Sequence, residues 1–78
     1  MSNIIAELKE LMLTIGMDTK LVQSLDPNLP LTSQGVDSLD CPAFALAVEK
    51  RYQVLISDAD SLKLKTINDF VKFIEKAA

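Results

Sequence analysis

Apolar residues recur at helical spacing in three separate stretches of this 78-residue chain, and nothing in it supplies a pair of strands. Ile4, Ile5, Leu8, Leu11, Met12 and Ile15 fall within an arc of roughly 100° on a helical wheel, with Glu7, Lys9 and Glu10 turned away. The spacing predicts a first helix from Asn3 to Ile15, capped by Asn3 or Ser2 and stopped by Gly16. A second helix is expected from Ser38 to Arg51, where Cys41, Phe44, Ala45, Val48 and Tyr52 lie within about 60° of one another's face. Ile67, Phe70, Val71 and Ile74 form the inward stripe of a last helix ending near Lys76. Two capping boxes punctuate the C-terminal half: Ser57 with Asp60 opens a short third helix to Leu62, and Thr66 with Asp69 opens the last. Tyr52 to Ile56 reads Y-Q-V-L-I, a strand-like composition without a partner strand, and is taken as an extended connector.

Between the first two helices, residues 16–36 read mostly as loop, broken by Asp26-Pro27 and Leu29-Pro30 and continued by Asn28, Thr32, Ser33, Gln34 and Gly35. A short turn of helix fits Thr19 to Leu25, and Leu21, Leu25, Leu29 and Leu31 are the residues expected to pin the loop to the core. Loops of this length in small domains are often functional. The expected class is all-α: a single domain over residues 1–78, a small four-helix bundle of three longer helices and one short third helix, with the long loop between helices one and two. Hydrophobic residues make up 49% of the chain, too many for a disordered segment.

The chemistry available is narrow. A formal net charge of -3 and a pI near 4.7 argue against binding along a nucleic-acid backbone. One cysteine cannot close an internal disulfide. There is no basic leader followed by an apolar run, and no apolar stretch long enough to span a bilayer, so a soluble cytoplasmic protein is expected, not a membrane protein. There is no histidine, no Gly-x-Ser-x-Gly elbow, no cluster of metal-ligand residues and no phosphate-cradling glycine loop. Catalysis by this chain alone is not expected.

What stands out is Gly35-Val36-Asp37-Ser38-Leu39-Asp40, which sets a serine at the end of a polar loop and at the start of a helix. A serine without a base is a poor nucleophile but a sound attachment point. At a helix N-terminus an anionic substituent would face unsatisfied N–H groups and the positive end of the dipole. Asp37 and Asp40 would flank it for recognition by a modifying enzyme. On the face of the second helix opposite its core stripe, Leu39, Pro42, Ala43, Leu46 and Lys50 form a second surface, partly apolar, that suggests a contact site.

G-V-D-S-L-D resembles the attachment motif of acyl carrier proteins, and the resemblance runs through nearly the whole chain. A helix ending E-K-R-Y, a connector closing on Ile56-Ser57-Asp58, a short helix, and Leu64-Lys65-Thr66-Ile67 opening the last one follow in the family's order. The resemblance implies a four-helix bundle whose second helix begins at the modified serine. It implies 4'-phosphopantetheine on Ser38, attached from coenzyme A by a magnesium-dependent phosphopantetheinyl transferase, with Asp37, Leu39 and Asp40 as flanking recognition residues. By motif position Leu39, Pro42, Ala43, Leu46, Glu49 and Lys50 inherit the partner surface, contacted by acyl-loading and acyl-processing enzymes of fatty-acid, polyketide or related biosynthesis. A monomer is expected.

Departures from the family pattern carry the finer expectations. Ala43 stands where Glu is usual and Lys50-Arg51 replaces acidic residues, so a specialised carrier is expected over the general one of fatty-acid synthesis. Pro42 cannot give an N–H to the Ser38 carbonyl, so the regular helix should start nearer Asp40, leaving Ser38 on a mobile shoulder. The loop before the motif is slightly longer than in standard fatty-acid carriers, and L-P-L-T-S-Q-G-V-D-S-L also resembles carrier domains of polyketide and peptide synthetases. Cys41 reads as a small buried or half-buried filler. Val48, Ile56, Ile67 and Val71 are the candidates to line a cargo cavity, Phe73 is the candidate to cover the open end of the bundle, and an aliphatic cargo is expected. The competing readings are an aminoacyl or aryl carrier serving a synthetase, and a helical adaptor subunit that shares the fold without carrying anything.

Overall fold

In the computed structural model, which describes residues 3–77, the first apolar stripe forms helix α1 (Ile4–Thr14). Leu8 and Met12 are completely buried, with Ile4, Ile5, Leu11 and Ile15 packed at their edges. The helix stops where expected: Gly16 takes φ +93°, a left-handed conformation open to glycine at little cost. Asn3 occupies the cap position without a side-chain hydrogen bond, and Ser2 lies outside the described residues.

The long loop is more ordered than its composition suggests. Asp18 accepts from the Leu21 N–H at 3.0 Å and caps a short helix α2 (Thr19–Ser24), whose far end is held by the Lys9 ammonium donating to the Leu25 carbonyl at 3.2 Å. Residues Leu31–Gln34 form a 3-10 turn closed by Gly35 at φ +94°. The described residues therefore hold five α-helices and no strand, one short helix beyond the four expected. Leu25 and Leu31 bury in the core and Leu21 packs against it, but Leu29 does not: it is exposed. The cause lies in Gln34, whose amide donates to the carbonyls of Asp26 and Leu29 while its oxygen accepts from the Asp26 N–H at 2.7 Å. This clamp fixes the turn by its backbone and leaves the Leu29 side chain outside.

Helix α3 spans Asp40–Tyr52, two residues later than the start at Ser38 expected from the motif and one residue past Arg51. Pro42 now falls within the first turn, where its missing N–H costs nothing, as the departure at that position required. Phe44 and Val48 are buried and Cys41, Ala45 and Tyr52 half-buried, the expected face. Asp40 at its start and Lys50 and Arg51 at its end suit the helix dipole. Arg51 also pairs with Glu7 of α1 at 3.6 Å, and the Tyr52 hydroxyl donates to the same carboxylate at 2.7 Å. Burial and this bond push the Tyr52 pKa up to about 12.

The connector is extended, with Val54 and Ile56 turned inward and Leu55 outward. Ser57 accepts from Asp60 N–H at 3.1 Å and opens α4 (Asp58–Lys63), as its capping box predicts. The second box is complete: Thr66 Oγ1 accepts from Asp69 N–H, and the Asp69 carboxylate accepts from the N–H groups of Thr66 and Lys65, each at 3.0 Å. It opens α5 (Ile67–Ala77), which buries Ile67, Phe70 and Ile74, with Val71 and Phe73 half-buried.

Burial alone would raise the Asp69 pKa, but the bonds from Lys65 and Thr66 and the nearby Lys72 outweigh it and hold the carboxyl below its ordinary value. A carboxylate depressed in the folded state adds stability that is complete above the unfolded pKa and is lost as pH falls through the folded one. Asp69→Asn should therefore flatten the fall in stability below about pH 4, and Asp69→Ala should cost about 0.5–2 kcal/mol at neutral pH through the lost cap. Urea unfolding of the three proteins across acid and neutral pH measures both.

Candidate functional site

Three anchors place the segment around Ser38. Leu31 and Val36 are buried on either side of Gly35, and the Val36 N–H donates back to the Leu31 carbonyl at 3.3 Å. Farther out, the Leu31 N–H donates to the Lys65 carbonyl at 2.8 Å, tying the loop to the segment before α5. Beyond Val36 the chain leaves the core, and Asp37, Ser38 and Leu39 are all exposed.

Ser38 itself lies in a turn, two residues ahead of α3, and its neighbours close that turn. The Asp37 carboxylate accepts from Leu39 N–H at 2.9 Å, and the Asp37 carbonyl accepts from Asp40 N–H at the same distance. Asp37 thus has a structural task beside any role in recognition: it takes up the N–H of the residue after Ser38 and fixes the turn in which the exposed serine sits. Asp40 is half-buried at the first position of α3.

Ser38 borders a cleft of about 860 Å³ that runs between α3 and α4 and is closed by the 3-10 turn and the start of α5. Such a volume is within the ordinary range for ligand sites, about 300–1,000 Å³. Of the four residues expected to line a cavity, only Ile56 does so. Val48 and Ile67 are completely buried in the bundle interior and Val71 packs against that interior, away from the cleft. Cys41 borders the cleft one turn from Ser38. Partial burial, and then the charges of Asp40 and Asp37, push its thiol pKa up, so it stays protonated at neutral pH and is a weak nucleophile.

The second face of α3 is open to solvent. Leu39 is 79% exposed, and Pro42, Ala43, Leu46 and Lys50 are exposed with it. Glu49 differs: it is half-buried, and one carboxylate oxygen accepts from the Ile56 N–H at 2.8 Å, holding the connector against α3. Two further apolar residues, not singled out by the sequence reading, are also exposed: Leu55 at 88% and Leu62 at 76%. Leu55 could have been found from the period-two alternation of Val54-Leu55-Ile56. Leu62 sits on a helix of six residues, too short to display a stripe. Among the described residues no group of His, Cys, Asp or Glu is arranged to hold a metal, and no helix is long and apolar enough to cross a membrane.

Asp37→Ala should loosen the turn that presents Ser38 at a cost of about 0.5–2 kcal/mol, whereas Asp37→Asn, which keeps an acceptor oxygen, should cost less. Denaturant midpoints, together with amide exchange at Leu39 and Asp40, check this.

Comparison with known proteins bears on the family of the chain. The family model described as a phosphopantetheine attachment site matches residues 6–74. The chain is 38% identical over 63 residues to an acyl carrier protein of Onion yellows phytoplasma (strain OY-M), covering 81% of this chain and 71% of that protein. It is 32% identical over 62 residues to an acyl carrier protein of Campylobacter concisus (strain 13826), covering 80% and 69%. A third relative, the acyl carrier protein of Aster yellows witches'-broom phytoplasma (strain AYWB), is 36% identical over 63 residues. With its all-helical bundle and a family match over most of its length, the chain belongs to the acyl carrier protein family, whose members bear phosphopantetheine and are non-catalytic carriers in biosynthesis.

Proposed function

We propose that Ser38 is the attachment point, that residues 1–78 act as one monomeric carrier domain in the cytoplasm, and that the carrier serves a specialised route. The observation that carries the first part is the placement of Ser38: exposed, held in a turn by its neighbours, and at the border of the cleft. The exposed hydroxyl leaves room for a bulky substituent, and the cleft beginning at that residue accommodates a flexible arm. Attachment would join Ser38 Oγ to the pantetheine-side phosphorus of coenzyme A. The bond from that phosphorus to adenosine bisphosphate breaks, and the hydroxyl proton passes to a base on a magnesium-dependent transferase. When bound, the group supplies a terminal thiol that holds the acyl cargo as a thioester. Cys41, with its raised pKa, does not compete for that cargo.

Asp37, Leu39 and Asp40 flank the serine and would be read by the transferase. Loading and processing enzymes would dock on the open face of α3 through Leu39, Pro42, Ala43, Leu46 and Lys50, with Glu49 at its edge. The specialised reading rests on charge. Asp37 and Asp40 keep the N-terminal end of this face acidic, while Lys50 makes its other end basic. A partner with a uniformly basic docking surface would meet repulsion there, which lowers encounter rates.

Ser38→Ala should abolish the mass gain of one phosphopantetheine on incubation with coenzyme A, magnesium and a broad-specificity transferase. Its stability should stay within about 0.5 kcal/mol of the parent, because an exposed hydroxyl is all that is lost. A mass gain that survives the substitution would sink the assignment. Turnover by the malonyltransferase and elongating synthase of general fatty-acid synthesis should be poor and should rise severalfold in Lys50→Glu; turnover equal to that of the housekeeping carrier would refute the specialised role.

A further inference from the structure

Where α3 ends, the chain turns at a conformational cost. Gln53 takes φ +55° and ψ +46°, the left-handed region, and is the one non-glycine among the described residues with a positive φ. Glycine is the residue that such a helix end ordinarily takes, so a glutamine here is strained. Strain of this kind persists where the surroundings hold it, and it clusters at functional positions. Glu49 does the holding. Its carbonyl accepts from the N–H groups of Gln53 and Val54, the latter at 3.2 Å, and its carboxylate accepts from that of Ile56 at 2.8 Å. Leu55 is left outside this bonded bend, 88% exposed, while Val54 and Ile56 on either side of it pack against the core.

Leu46, Glu49, Lys50, Gln53, Val54 and Leu55 together line a hollow of about 330 Å³ at this bend. Leu46 also stands in the open face of α3, so the hollow continues that face toward its C-terminal end. The charges around it differ in their freedom. Glu49 is half-buried and bonded to the connector, and Arg51 pairs with Glu7 of α1, whereas Lys50 is exposed and has no ion partner among the described residues. Resting on the reading of α3 as the docking helix, we propose that this hollow is a second contact site. It takes, from an enzyme partner of the carrier, an apolar side chain with a carboxylate beside it. Leu46, Val54 and Leu55 cover the apolar group, the Lys50 ammonium meets the carboxylate, and the Gln53 amide offers a further donor. Asp37 and Asp40 at the other end of α3 call for the opposite sign. The partner therefore presents a basic group at one end and an acidic one roughly 15 Å farther along, the rise of ten helical residues. That polarity orients the partner on α3 in one sense, and the strained glutamine is retained for its side chain.

The probes are two synthetic helical peptides, one presenting leucine beside glutamate and a twin with lysine in place of the glutamate. Each is titrated into the full chain and followed by its amide NMR signals. The acidic peptide should shift the signals of Lys50, Val54 and Leu55 and bind there about fivefold more tightly than its twin, the upper range for an exposed ion pair. The twin should instead shift those of Leu39 and Asp40. Lys50→Glu should reverse the order at the hollow, and Leu55→Ser, which alters only an exposed side chain, should weaken the acidic peptide severalfold. Gln53→Gly should raise the urea midpoint by relieving the strain and yet weaken binding of that peptide. Equal binding of the two peptides at the hollow would overturn the proposal, as would a Gln53→Gly protein that binds as the parent does. An acidic peptide that leaves the hollow unmoved while its twin engages Asp40 overturns it alone and spares α3 as the docking helix. If neither peptide moves any α3 signal, that reading falls with it. Attachment at Ser38 is judged apart, by mass.

Discussion

The Leu31 N–H donates to the Lys65 carbonyl at 2.8 Å, joining two segments that neither helix propensity nor a hydrophobic stripe would bring together. Around that bond the loop acquires its other ties. The Asn68 N–H donates to the Pro27 carbonyl, the Asn68 amide bonds the Asn28 side chain, and Gln34 clamps the carbonyls of Asp26 and Leu29. Because the capping box of Thr66 and Asp69 fixes the start of α5, it also fixes the Lys65 carbonyl on which the loop hangs. Ser38 is reached from this frame through Leu31, Gly35 and Val36. Its position is therefore set by the far end of the chain as much as by the helix that follows it.

Electrostatics divides α3 along its length. The acidic groups Asp37 and Asp40 stand at its positive N-terminal pole, where they stabilise the helix and raise the Cys41 thiol above its ordinary pKa, behind the larger effect of burial. Lys50 and Arg51 stand at the negative pole, and Arg51 is committed inward, to the Glu7 carboxylate and over the Tyr52 ring at 5.3 Å. Only Lys50 of that pair is left on the open face. One residue therefore controls the sign of the field that a partner meets beyond Leu46, so the basic end is a narrow feature on an otherwise acidic or apolar surface.

The helices were legible because each is announced by a stripe, a cap or both. Ser57, Thr66 and Asp69 make the bonds that their spacing predicts, and Leu8, Met12, Phe44, Val48, Ile67, Phe70 and Ile74 are all in the core. Pro42 correctly marks the delayed start of α3. The loop was less legible, since its order comes from Gln34, Asn28 and Asn68 bonding across distances in sequence that local pattern does not report. For the same reason Leu29 and Leu31, two residues apart and alike in composition, have opposite fates. At the site, Ser38 and the exposed face could be read from motif and periodicity. The boundaries of the cleft could not: whether Val48 or Phe44 borders it depends on how far each side chain reaches into the space between helices.

A chain of this size has little interior to spare. Domains near this length bury about 60% of the surface their unfolded chains expose, and a cavity costs about 24 cal/mol for each Å³ left empty. Holding an internal space open for cargo would draw on the same small core that keeps the helices together. Packing the Phe44 and Phe70 rings edge to face, 4.8 Å apart, resolves that competition in favour of stability. The exposed Leu39, Leu46, Leu55 and Leu62 lie on or near the elements that border the cleft. Core packing and the apolar character of the outer surface are then aspects of one constraint, set by how little volume 78 residues can enclose.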